Sequence, residues 1–270
     1  MRSLVVTSIC FLALLAAGCT SSFTKLEPVN FVQNLALYKI SSDVYPASEE
    51  LKKSLPPSAD YPKLTTEKII DVLGNLRFRR DTLWGSQERK VFYDAELKYL
   101  APLVADAISK MEKDHRLVII SRYDPDQSVL SRMERVTALL WADEAGLNVV
   151  FGEIREEIPN NDIIERDEWT QILPISLKRE YPDLALLPSS EFQFKTVLGR
   201  QHRTWAIFKL DDLDSIHYAP QKQDQPATQT GVTENSVLTQ KLKELQQARD
   251  ANLISEEEYD AKRKEILKNF

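Results

Sequence analysis

Glycine is scarce in this chain of 270 residues: there are seven, and no two lie within four positions of each other. Loops that cradle phosphate need clustered glycines, so a nucleotide-binding loop is excluded. Histidine is scarcer, with His115, His202 and His217 too far apart in sequence to form a local pair of metal ligands, and zinc is not expected. Gly-x-Ser-x-Gly and His-Glu-x-x-His are both absent, which removes the sequence signs of a nucleophile elbow and of a zinc protease. Positive charge is outnumbered, 35 Lys and Arg against 41 Asp and Glu; an acidic chain of this kind is not built to bind nucleic acid. Cysteine occurs only as Cys10 and Cys19. The one long apolar run, Leu4 to Ala17, has 14 residues, too few to cross a hydrocarbon core of about 30 Å as a helix.

That run is informative in another way. Arg2, the apolar stretch and the small residues Ala16-Ala17-Gly18 before Cys19 are the three parts of a secretory signal. With Cys directly after Ala-Gly, the site resembles the lipobox of bacterial lipoproteins. The resemblance implies removal of residues 1–18, acylation of Cys19 as the first mature residue, and attachment of everything after it to a membrane. Thr20, where Asp commonly marks inner-membrane retention, implies the outer membrane, facing the periplasm. Loss of residues 1–18 removes Cys10 and one Arg and brings the net charge from −6 to −7. An acylated Cys19 then leaves no disulfide, thiol nucleophile or Cys-ligated metal.

Past the anchor, Pro28, Pro46, Pro56, Pro57 and Pro62 forbid a long helix through residues 19–62. This lead-in is expected to lie on the globular part, with Phe31, Val32, Leu35, Leu37 and Tyr38 docking as a short strand or helical turn. The globular domain is placed at 63–217. A helix capped by Thr65 buries Ile69, Val72, Leu73 and Leu76. Arg77 to Trp84 reads as a strand. A second helix begins near Asp94, buries Leu97, Leu100, Val104 and Ile108, and should kink or restart at Pro102. Leu117 to Ile120 is a buried strand, and residues 135–141 and 147–154 alternate as a hairpin around Asp143 to Gly146. Residues 160–181 read as a polar helical segment, and a second hairpin joins 191–198 to 204–210 around Gly199 to His202. The order implies an α+β fold: an antiparallel sheet of about five strands with helices on one face.

Residues 218–235, rich in Gln, Thr and Pro, read as a disordered linker. The tail, 236–270, spells two short helices. Leu238, Leu242 and Leu245 line the first, Asn252 ends it, Ser255 with Glu258 forms a capping box, and Ile254, Tyr259 and Ile266 line the second. The landmarks resemble the short C-terminal domain known as SHOCT, a resemblance that implies an oligomerisation or partner-binding module. A tail of this size lies under the ~40 residues at which a core alone suffices, so its leucines are expected to need a cover from outside.

The remaining clusters carry weaker chemistry. His202 with Arg200 and Arg203 is placed on a solvated loop tip. Acidic residues crowd between Glu153 and Glu168 without the loop that fixes calcium, and read as a solvated face. Arg77, Arg79, Arg80 and Arg89 with Trp84 form a basic aromatic patch of the kind that binds an acidic partner or lipid headgroups, but Arg77 and Arg79, as alternating strand positions, read more simply as the solvent side of a sheet. No catalytic residue, metal ligand or cofactor is expected. The favoured function is an envelope lipoprotein with a structural or interaction role; the alternative is a periplasmic carboxylate-based hydrolase or a small-ligand or ion-binding protein.

Overall fold

The structure, a computed structural model, describes residues 26–82, 85–125, 132–158, 169–172, 175–178, 181–220, 242–243, 245–246, 249 and 254–268. The main sheet has seven antiparallel strands rather than about five. In chain order its members are β1 (Glu27–Val32), β2 (Leu35–Ser41), β5 (His115–Tyr123), β6 (Glu134–Asp143), β7 (Gly146–Glu157), β9 (Gln193–Val197) and β10 (Arg200–Phe208). They lie side by side as β1-β2-β5-β6-β7-β10-β9. A second sheet of three strands places β3 (Arg77–Thr82) between β4 (Gly85–Lys90) and β8 (Leu184–Leu186).

The lead-in departs most from expectation. Residues 27–41 are part of the sheet rather than a covering: β2 pairs with β5 from Leu35 opposite Ser121 to Ser41 opposite His115, and Leu35, Ala36, Leu37 and Ile40 are all buried. A strand whose two neighbours are both present reads as a continuous apolar run, which Leu35-Ala36-Leu37 is. The prolines still act as foreseen, because the helix of this region, α1 (Glu49–Ser54), lasts only six residues.

The main sheet is covered on both faces. On one, α2 (Thr66–Gly74), α3 (Asp94–Ser109) and the small sheet press Ile69, Val72, Leu97, Leu100, Val104 and Phe78 against Leu37, Ile119, Leu140, Val149 and Phe208. Thr65 caps α2 by accepting a 3.2 Å hydrogen bond from the Lys68 N–H. The α3 helix continues through Pro102 as one element instead of kinking into two; it begins at Asp94, as expected, with Tyr93 in the cap position. On the other face, Tyr45, Leu51, Trp169, Ile175 and Leu177 cover Ile40, Val118, Ile120, Trp141 and Trp205. The long helices thus sit on one face, as the periodicity implies, and short α1 with loop residues sits on the other. The expected helical segment at 160–181 falls partly outside the described residues; its described parts are turns and irregular backbone. Among the described residues no helix is long and apolar enough to cross a membrane.

The body does not stop at His217. The Tyr218 ring lies on Gly74 at about 3 Å from where a Cβ would project, its N–H donates to Asp71 Oδ1 at 2.9 Å, and its hydroxyl joins Lys90 and Asp94. Tyr218, assigned to the linker by composition, is pegged to the folded part; residues 221–235 of that linker lie outside the described residues.

Candidate functional site

In the tail, α4 (Glu256–Lys268) begins with a reciprocal pair: the Glu258 N–H donates to Ser255 Oγ at 3.2 Å, and the Ser255 N–H donates to the Glu258 carboxylate at 2.8 Å. Leu242, Leu245, Ile254, Tyr259 and Ile266 meet in one cluster, with Leu245 and Ile266 as its buried members. Tyr259 adds a polar clasp, its hydroxyl donating to Gln246 Oε1 at 3.0 Å while the Arg249 guanidinium lies 4.4 Å above its ring. So these leucines are covered at least in part by the hairpin's own second helix, while Leu267 stays exposed. Leu238 and Cys19 lie outside the described residues.

The clusters read as solvated surface are arranged differently. His202 is buried inside β10, with Nε2 3.2 Å from the Ser176 carbonyl and its ring edge-on to Trp205. The loop is shorter than expected because Leu198 and Gly199 both take positive φ, 49° and 78°, the conformation of a two-residue hairpin turn. The strand therefore resumes at Arg200 and carries His202 into the sheet. His115 is half-buried at the start of β5, with Nδ1 2.9 Å from Asp114 Oδ1 and 3.1 Å from Glu112 Oε2; the hydrogen bond to His115 holds the Asp114 carboxyl below its ordinary pKa. These three side chains are close enough to share a cation, but their mutual hydrogen bonds already account for the geometry. His217 is exposed.

The basic patch separates. Arg79 is exposed, but Arg80 donates to the Ile154 carbonyl at 2.6 Å and to Glu156 at 3.0 Å. Arg89 donates to both oxygens of Glu134, at 2.8 and 2.7 Å. Burial, the largest influence on Arg89, pushes its pKa down, but hydrogen bonds to Glu134 and Tyr93 outweigh it and the net direction is upward. Trp84 lies outside the described residues. The described members of the acidic crowd are likewise paired: Glu153 takes Arg135 on two oxygens at 2.7 and 2.9 Å, and Glu157 takes Arg132 at 2.8 Å; Asp162, Glu165, Asp167 and Glu168 lie outside the described residues.

These pairs surround a feature that no sequence pattern revealed. Opposite β6, strand β7 carries two extra residues: Thr137 pairs with Glu153 and Ala138 with Phe151, leaving Gly152 over, while Arg135 pairs with Glu156, so that Ile154 and Arg155 together face Val136. Such bulges bend a strand and re-aim its side chains. Gly152 suits its bend because an added Cβ would stand 2.8 Å from Ile175 and 2.9 Å from Thr137. Arg155 takes φ 52°, a conformation uncommon outside Gly, Asn and Asp, and its side chain turns wholly inward. There it meets Glu96 in a very short ion pair and stands 3.9 Å from Glu134, with the rings of Tyr93 and Tyr123 at 4.5 and 5.8 Å. Ser121 donates to the other Glu96 oxygen at 2.5 Å. The Arg155 Nε and Nη1 find no hydrogen-bond acceptor.

Outside the bulge, a cleft of about 390 Å³ opens between the two sheets, with Arg80, Glu153, Glu156, Tyr181 and Asp183 among its walls. Of its acids, Glu153 is held on both oxygens by Arg135 and Glu156 is bonded to Arg80. Both carboxylates are thus tied to neighbouring guanidinium groups. No protein-family model matches the chain, and no curated protein and no solved structure is significantly similar to it.

Proposed function

We propose that the protein is an envelope lipoprotein, held through acylated Cys19 in the outer membrane and facing the periplasm, with a structural or interaction role exercised through its C-terminal hairpin. The anchor reading is supported by the Ala16-Ala17-Gly18-Cys19 site behind a 14-residue apolar run. Two or more acyl chains, at about 0.8 kcal/mol per buried CH₂, give stable attachment where one gives only marginal binding.

The observation that carries the interaction reading is the thinness of the tail's core. Among its described residues only Leu245 and Ile266 are buried, and helices of fewer than about 12–15 residues are marginal on their own. A second copy of the hairpin, adding its own Leu242, Ile254 and Tyr259, would widen that core; the SHOCT resemblance favours this oligomer over a heterologous partner. The double change Leu242→Asp, Leu245→Asp in the unlipidated protein tests it: analytical ultracentrifugation should show an oligomer become a monomer, and a wild-type chain already monomeric would refute self-association. The hydrolase or ligand-binding alternative would draw on the cleft between the sheets, but the arginine pairing of Glu153 and Glu156 supports the interaction role instead.

A further inference from the structure

The edge of the main sheet nearest the anchor is unusually apolar. β1 pairs with β2 on one side and has no strand on the other among the described residues. Val29, Phe31 and Val32 are exposed, Phe31 by 60%, and they make up half of the six large exposed hydrophobics among the described residues. The Phe31 ring lies 5.8 Å from that of Trp169. From Pro28 to Tyr38 the sequence holds no charged residue, and Glu27, just before it, is paired with Lys39 at 3.2 Å. An open, apolar edge strand is a liability that proteins cover, blunt with charge, or use.

We propose that this edge seats on the lipid surface, so that the body is held in one orientation on the membrane rather than swinging from a tether. The proposal rests on Cys19 being the anchor. Eight peptide units join Cys19 to Glu27, a span of at most about 29 Å when fully extended and roughly 16 Å on average for a flexible chain. A globule of some 190 residues is about 40 Å or more across, so the tether is short against the body and the edge where the chain enters it faces the membrane. Apolar and aromatic side chains gain from entering the headgroup boundary, and an uncharged strand meets no repulsion from anionic lipid. The opposite edge, β9 with exposed Leu198 after it, lies six strand spacings away, about 29 Å. This distance separates contact from mere proximity.

With the anchor thiol acylated, the mature chain has no other cysteine, so Phe31→Cys, Val29→Cys and Leu198→Cys each give one labelling site in the lipidated protein. Each is labelled with an environment-sensitive fluorophore and reconstituted into vesicles of phosphatidylethanolamine and phosphatidylglycerol carrying spin-labelled lipid. The expected result is at least a halving of emission at positions 29 and 31 and none at 198. Equal quenching at all three sites, or none, in protein that sediments with the vesicles would overturn the seated edge and leave the anchor standing. Protein that stays in the supernatant would overturn the anchor itself and the proposal with it. Crosslinking of position 31 to position 31 of a second molecule would show the edge paired with another copy, and would also overturn it.

Discussion

Replacing Glu96 by Gln tests the buried network at its centre. The change keeps the shape of the side chain and removes one charge from an ion pair in which both side chains are fully buried. The Arg155 guanidinium would then keep only Glu134, 3.9 Å away and already bound to Arg89 on both oxygens. Taking one partner from a buried pair costs about 3–5 kcal/mol, since the remaining charge stays out of water without compensation. The residual attraction of Glu134 and the faces of Tyr93 and Tyr123 place the expected loss near the lower end, about 3 kcal/mol. Against a total stability of about 5–15 kcal/mol this is a large fraction. Urea unfolding of the soluble chain, with Cys19→Ser and without residues 1–18, should show the midpoint fall with an unchanged slope. Adding Arg155→Met to Glu96→Gln should recover part of the loss, because the buried charge leaves with its partner; the double-mutant cycle measures the coupling. A Glu96→Gln protein within about 0.5 kcal/mol of wild type, the range of a neutral surface change, would refute the account of Arg155 as a cation dependent on Glu96.

Other expectations follow from single contacts. Gly152→Ala places a Cβ at 2.8 Å from Ile175 and should destabilise by about 1–3 kcal/mol as an overpacked core; an unchanged melting temperature would mean that the bulge relaxes freely. Tyr218→Ala removes the peg on Gly74 and one of the hydrogen-bond partners of buried Lys90, and should cost about 2–4 kcal/mol in thermal unfolding. Truncation after residue 220 should leave the melting temperature unaltered, and equal loss from both changes would show that the linker itself holds the body. Arg116 is buried with Nε and Nη1 unmet, lies 4.4 Å over Trp141, and has its pKa pushed down to about 10 by burial. Arg116→Met should raise stability by up to about 1 kcal/mol, the relief of unmet donors less the cation–π contact, and a melting temperature lowered by more than about 4 °C would sink that balance. Cys19→Ser in the intact gene product should move the protein from the membrane fraction to the soluble periplasm; unchanged fractionation would refute the anchor.

Local order was legible along the sequence wherever the determining residues are close neighbours. The Thr65 cap, the β6–β7 hairpin with its turn at Asp143 to Gly146 and the Ser255–Glu258 pair each depend on residues a few positions apart, so spacing alone wrote them; the alternation expected of that hairpin is absent, both strands being buried almost throughout. The spacing of apolar residues likewise marked which sides of α2 and α3 are buried. Tertiary structure decided what depends on distant partners. Leu35-Ala36-Leu37 became an interior strand only because β5, some 80 residues on, supplies its other edge, and β3 found β8 more than 100 residues away. Short apolar stretches fit a docked turn or a central strand equally well until a neighbour closes their hydrogen bonds. The same holds for charge. Arg80 and Glu156, like Arg89 and Glu134, look like solvated charges in a linear reading, and only the approach of the small sheet to the main one brings each pair together. Arg155 is the extreme case, since an extra residue opposite Val136 turned a side chain that composition assigns to water toward Glu96, on a helix 59 residues earlier.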